Sequence, residues 1–266
     1  MLIADVLQLI DRLAPERLAA DWDNSGVQIA GEAREVSRLA VRLDPLPLAL
    51  ADCLDWGAQF VLTHHPLYLK PQTPNRESPY LQVLRLMLPA KAWLYAAHTT
   101  LDQTPDGPAF WLGRELNLQD ARPLEPTLAP DLAALGAGFG QVGELPESLA
   151  WSDFADALAG LVDRQVWSVV GDIPGRVSRI AYCPGSGGSL IAEAEKAGAD
   201  VFITGDIKYH QALEARIAVV DVGHFCLEEE MTRRFAGMVS GILAPHGVEV
   251  RFFRGCDPFR FRLPCA

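Results

Sequence analysis

VSRLAVRLDPLPLALADCLDWGAQFVLTHH, residues 36–65, aligns without a gap with VSRIAYCPGSGGSLIAEAEKAGADVFITGD, residues 177–206, at a constant offset of 141. Val36, Ser37, Arg38, Ala40, Ala51, Gly57, Ala58 and Thr63 recur as Val177, Ser178, Arg179, Ala181, Ala192, Gly198, Ala199 and Thr204. Self-similarity at a fixed offset is the mark of a module used twice. Each copy reads as strand, helix, strand. Positions 38–43 and 179–183 are short apolar strands. Positions 49–56 and 190–197 are helices, each closed by a glycine, Gly57 or Gly198, where a left-handed cap is expected. Positions 59–63 and 200–204 are apolar without alternation, as in parallel strands covered on both faces. A further strand follows each copy, at 92–97 and 217–222. The expected fold class is α/β: two similar units related by internal duplication, with largely parallel sheets.

Outward from the repeat, MLIADVLQLIDRLAP reads as an amphipathic helix with Ile3, Val6, Leu7, Ile10 and Leu13 on one face. Asp5 and Asp11 interrupt it, so it does not read as a signal peptide. The stretch 122–143, rich in Pro, Ala and Gly, is expected to be a linker or crossover. A length of 266 residues suits two compact units, and 49% apolar with 21% charged residues is ordinary for a soluble globular chain. The net charge of −11, with no Lys/Arg cluster, argues against general nucleic-acid binding and against anionic lipid. A small anionic substrate stays open, because a bound metal reverses the local sign. No apolar stretch is long enough to span a membrane. The five cysteines, at 53, 183, 226, 256 and 265, form no C-x-x-C pair and are odd in number. A disulfide framework is not expected, and a reducing cytoplasm is.

Six histidines are unevenly placed. His64 and His65 end one expected strand, His98 ends another, and His224 follows a third. Ligands of parallel α/β sheets gather beyond the carboxyl ends of strands, so three such ends carrying histidine point to metal. On a strand, His64 and His65 point to opposite faces, and where the strand opens they can serve two ions. His98 with Asp102, and His224 with Glu228, are H-x-x-x-acid patterns whose members share a helix face. The expected ligands of one two-metal site are therefore His64, His65, His98, Asp102, His224 and Glu228. Glu228, with two oxygens, is the expected bridge. Glu229 and Glu230 read as a solvated helix face, and Cys226 as buried packing. CPGSGGS (183–189) is either an anion cradle of backbone N–H groups or a tight turn with Ser189 as N-cap. Asp23, Asn24, Ser25 and Gly26 read as a polar turn. His210 is expected to support the ligands from behind or to face substrate, and His246 to be a surface turn residue.

DWDNSGVQIAG (21–31), LTHHPL (62–67), AAHTTLD (96–102), CPGSGGS (183–189), TGDIKYH (204–210) and DVGHFCLEE (221–229) resemble the Nif-three-like family, whose members are also called GTP cyclohydrolase I type-two homologues. The resemblance runs nearly end to end and places the family's metal ligands on the same six residues. It implies two similar three-layer α/β domains, the second inserted into the first. The corresponding ranges are 1–120 plus 219–266 for the first and 121–218 for the second. It also implies a ring-shaped homohexamer. Thr100 stands where asparagine is common in the family, and Asp206 where glutamate is common.

Four imidazoles and two carboxylates without a thiolate suit two divalent ions of zinc, iron, manganese, cobalt or nickel, and serve calcium poorly. Two such ions leave coordination positions open for water and a small-molecule substrate. The expected function is a metal-dependent hydrolase whose nucleophile is a water bridging the metals, GTP cyclohydrolase-like by resemblance only. His210, outside the ligand set, is the candidate catalytic residue for proton transfer. The alternative is a non-catalytic metal-binding scaffold, metal carrier or regulatory protein, which the same ligands would serve.

Overall fold

The structure, a computed structural model, describes residues 1–262; Cys265 and the last positions of the expected first domain lie outside the described residues. In chain order the elements are α1 (Ile3–Leu13), β1 (Gly26–Ile29), β2 (Arg38–Arg42), α2 (Pro47–Asp55), β3 (Phe60–Thr63), α3 (Pro79–Ala90), β4 (Trp93–Ala96) and α4 (Thr99–Asp102). Then come α5 (Trp111–Glu115), β5 (Gln119–Pro126), α6 (Pro130–Ala133), β6 (Gly138–Ala150), α7 (Trp151–Leu161), β7 (Ser168–Val170) and β8 (Arg176–Ser186). The chain ends with α8 (Ile191–Lys196), β9 (Val201–Gly205), α9 (Tyr209–Glu214), β10 (Ala218–Asp221), α10 (His224–Leu243) and β11 (Glu249–Phe252). Two compact units result. One comprises Met1–Pro108 and Glu229–Gly255, the other Ala109–Glu228 and the residues from Cys256 onward. No helix among the described residues is long and apolar enough to cross a membrane.

The sheet of the first unit has the order β1-β4-β3-β2-β11. The β4-β3-β2-β11 pairs are parallel and β1 is antiparallel to β4. Alternation along the strands sends Ala40, Val61 and Leu94 to one face, where they pack with Leu50 and Cys53 of α2 and Val83 and Met87 of α3. Leu39, Val41, Phe60 and Leu62, on the other face, are equally buried. Burial on both faces is what removes polar alternation from these strands. Pro47 starts α2 and Pro79 starts α3, each at a first-turn position where its missing N–H costs nothing. On α1 the buried residues are Ile3, Val6, Leu9 and Ile10, so Leu9, not Leu7, completes the inward face.

The sheet of the second unit has the order β5-β6-β8-β9-β10-β7, with β8-β9-β10 parallel. Ala181, Phe202 and Val219 face Ile191 and Ala194 of the α8 region. The expected linker at 122–143 is instead most of an antiparallel hairpin, β5 with β6. Pro123 and Pro126 sit on β5, an edge strand where proline is tolerated. Gly138 and Gly140 allow backbone approaches that a side chain would block: a Cβ on Gly140 would lie 2.8 Å from the Tyr182 carbonyl oxygen.

The two copies of the repeat are built alike in detail. Leu39 pairs with Phe60 and Ile180 with Val201. Gln59 Oε1 accepts from the N–H groups of Ser37 and Arg38 at 3.1 and 2.9 Å, and Asp200 Oδ2 accepts from those of Ser178 and Arg179 at 2.7 and 2.8 Å. Arg38 donates to the Trp56 carbonyl at 2.8 Å, and Arg179 to that of Ala197 at 3.0 Å. Gly57 and Gly198 follow with φ of 87° and 72°.

Candidate metal centre

In the first unit β2, β3 and β4 run parallel, so their carboxyl ends share one edge. Antiparallel β1 starts where β4 ends, Gly26 pairing with Ala96, which brings residues 23–25 to the same edge. His64 and His65 follow the last residue of β3, and His98 caps α4 just past β4. Strand alternation has ended by then, so the rings of His64 and His65 do not diverge. Their centroids are 5.0 Å apart, and those of His98 lie 5.2 and 5.6 Å from the two. One ring nitrogen from each comes within 4.8 Å of the others, an arrangement that could hold an ion. One turn of α4 brings the Asp102 N–H onto the His98 carbonyl, and Asp102 Oδ1 lies 3.8 Å from His64 Nε2.

Every one of these imidazoles is held at Nδ1 by a group that only accepts. His64 Nδ1 is 2.8 Å from the Ala97 carbonyl oxygen, His65 Nδ1 2.7 Å from Asp44 Oδ1, and His98 Nδ1 2.7 Å from Asp23 Oδ1. The proton therefore belongs on Nδ1, and Nε2 keeps its lone pair. A ligating histidine usually has this support, which fixes tautomer and ring orientation. Asp23 also accepts from Ser25 Oγ, Thr99 N and Thr99 Oγ1. Burial pushes its pKa up, but the hydrogen bonds from His98, Ser25 and Thr99 outweigh this and hold the carboxyl well below the usual range.

The second unit repeats the device. His224 and Glu228 lie one turn apart at the start of α10, with His224 Nε2 and Glu228 Oε2 separated by 2.6 Å. Asp206 Oδ2, one residue past β9, holds His224 Nδ1 at 2.7 Å. An imidazolium donating to both Asp206 and Glu228 satisfies this contact, and a bound cation would take the place of the proton at Nε2. The glycines of 183–189 serve this helix start. Gly185 has φ of 68°, and a Cβ there would fall 2.1 Å from Glu228 Oε1. Ser189 makes no cap: it lies in a 3-10 turn, Gly188–Leu190, and no side chain caps α8. Gly187 N–H instead donates to Thr204 Oγ1 at 2.9 Å.

Asp23, Asp44 and Asp206 are the residues the sequence reading did not assign to the site. The available signal was a carboxylate just outside a strand that neighbours the one leading to a histidine: Asp44 follows β2, Asp206 follows β9 and Asp23 precedes β1. Glu229 is a further correction. It is buried rather than solvated, accepts the Gly255 N–H at 2.6 Å, and burial pushes its pKa up. Glu230 keeps an ion-paired surface role with Arg233 and Arg234. Cys226 is buried, donates to the Val222 carbonyl, and has a pKa pushed up to about 12 by burial. His210 is exposed at the start of α9, its ring 5.5 Å from that of Tyr209. His246 lies in a surface 3-10 turn ended by Gly247.

Residues 1–258 match the profile of the Duf34/NIF3 family, NGG1p interacting factor 3. A Streptomyces coelicolor protein named GTP cyclohydrolase 1 type 2 homolog is 30% identical over 256 residues, covering 94% of this chain and 89% of its own. A Nostoc protein of the same name is 30% identical over 235 residues, covering 86% and 87%. Among solved structures, a Staphylococcus aureus hypothetical protein superposes with a TM-score of 0.86 at 26% identity, covering 98% of this chain and 99% of that one. A Bacillus cereus protein related to NIF3 has the same fold, with a TM-score of 0.87 at 20% identity over 97% and 98%.

Proposed function

The chain belongs to the Duf34/NIF3 family, and from that premise we propose that it is a dinuclear metal-binding protein acting as a metal-dependent hydrolase. The proposed ligands are His64, His65, His98, Asp102, His224 and Glu228. One observation carries this reading: His64, His65, His98 and His224 are each clamped at Nδ1 by a carbonyl or carboxylate, the support that a ligating histidine usually has. The donor set, imidazole and carboxylate without thiolate, fits zinc, iron, manganese, cobalt or nickel. Two such ions, when bound, lower the pKa of water and polarise a carbonyl or phosphoryl oxygen.

The chain's own residues would do the rest. Asp23, Asp44 and Asp206 hold the rings in the ligating tautomer. Glu228, with two carboxylate oxygens, would help to hold the ions. His210, outside the ligand set, would carry a proton between substrate and solvent. The relatives' name makes opening of the GTP purine ring by water the first reaction to try. A homohexamer in the cytoplasm completes the proposal.

The test is turnover of GTP and of a panel of amide and phosphoester substrates, by metal-loaded protein with and without a chelator. Metal-dependent hydrolysis is the expected result. Ions bound with no turnover of any substrate would leave a scaffold, carrier or regulator; turnover indifferent to chelation would end the metal mechanism.

A further inference from the structure

Trp22 is the large apolar side chain left in the open beside the imidazole group. It is 59% exposed, and its ring centroid lies 5.7 Å from that of His98 at an interplanar angle of 78°. Edge-to-face contact leaves at least one indole face uncovered by His98. The turn that carries it is not loose. Ala20 N–H donates to Thr99 Oγ1 at 3.0 Å, Asp23 N–H to the Ala20 carbonyl at 2.8 Å, and Ser25 Oγ accepts from His98 N–H at 3.1 Å. Asn24 Nδ2 donates to the Tyr68 carbonyl at 2.9 Å. The backbone on both sides of Trp22 is therefore tied to the residues around His98. Nothing in turn chemistry asks for tryptophan at that position: the turn is made by Asp23, Asn24 and Ser25.

We propose that Trp22 is a stacking platform for a planar, nucleobase-sized heteroaromatic ring on the ligand of this site, a reading that rests on the imidazole group being a metal centre. A fixed indole face offers a ring dispersion and apolar contact at little ordering cost. The metal site would then act on the polar part of a molecule whose flat part lies on Trp22. Every base has a π-face, so the platform selects for flatness rather than for one base.

Equilibrium dialysis of the full chain tests this, with inosine as the planar probe and ribose as the control without a ring to stack. Wild type, Trp22→Phe and Trp22→Ala are compared, with metal content and melting temperature measured on the same samples. Inosine is expected to bind and ribose not. Trp22→Ala should raise the inosine Kd by about tenfold or more, with metal content and melting temperature unchanged. Trp22→Phe, which keeps a flat ring, should lose less. An unchanged Kd in Trp22→Ala, or no inosine binding by wild type at millimolar concentration, would overturn the proposal. So would metal loss in Trp22→Ala, which would make Trp22 a packing support for His98. Protein that binds inosine through Trp22 but holds no metal would sink the metal-centre reading and leave the platform standing.

Discussion

Each imidazole of the candidate centre is held at Nδ1, and three of the four clamps are single aspartates. Removing a clamp's charge while keeping its shape isolates its contribution. Asp44→Asn and Asp206→Asn should each weaken metal binding by about 10–100-fold in chelator competition, as loss of such outer partners commonly does. Unchanged affinity would mean that the clamps only decorate the rings. His210→Ala should keep its metals and lose about 10²–10⁴-fold in turnover, the range of a general acid–base group. If it loses metal instead, His210 is a ligand. The histidines and their i+4 carboxylates stood out in the sequence because residue type and spacing are both local. Asp23, Asp44 and Asp206 did not, because an aspartate beside a strand end is ordinary turn chemistry until the chain folds around it. Asp206 adopts φ of 59°, a left-handed conformation no spacing rule would flag.

Elements explain why those residues meet. Three parallel strands deliver their ends to one edge, and antiparallel β1 returns the Asp23 turn to it. The helix–strand alternation was legible because apolar runs and terminal glycines are local signals. The hairpin of β5 and β6 was not, since its prolines and glycines look like a linker unless the edge position and close approaches are known. The glycine-rich turn after β8 makes a prediction at this level. Gly185→Ala would place a methyl group in contact with Glu228 on a backbone that alanine rarely adopts. It should destabilise the chain by about 1–3 kcal/mol and lower metal occupancy, measured by thermal melting and metal analysis. Gly160→Ala, in α7 with open space where its Cβ would go, should instead stabilise by about 0.5–1 kcal/mol. If Gly185→Ala behaved like Gly160→Ala, the turn would not shape the Glu228 position.

For the whole molecule, the paired hydrogen bonds at an offset of 141 favour a duplicated unit. The side chains at 59 and 200 differ, yet cap the same two amides in each copy. Conservation of such a role through a change of residue is what descent from one module would leave. The homohexamer proposed for this chain would have a solution mass of about six times the 29.0 kDa chain by analytical ultracentrifugation; a monomer would contradict it. The central claim is that His64, His65, His98, Asp102, His224 and Glu228 are ligands for a pair of ions, and metal stoichiometry tests it most directly. Elemental analysis of purified, metal-reloaded chain should find two divalent ions per wild-type chain, at most one in His64→Ala, and neither in Glu228→Gln. A wild-type chain that retains no ion after reloading, or a Glu228→Gln chain that retains the full pair, would contradict the account.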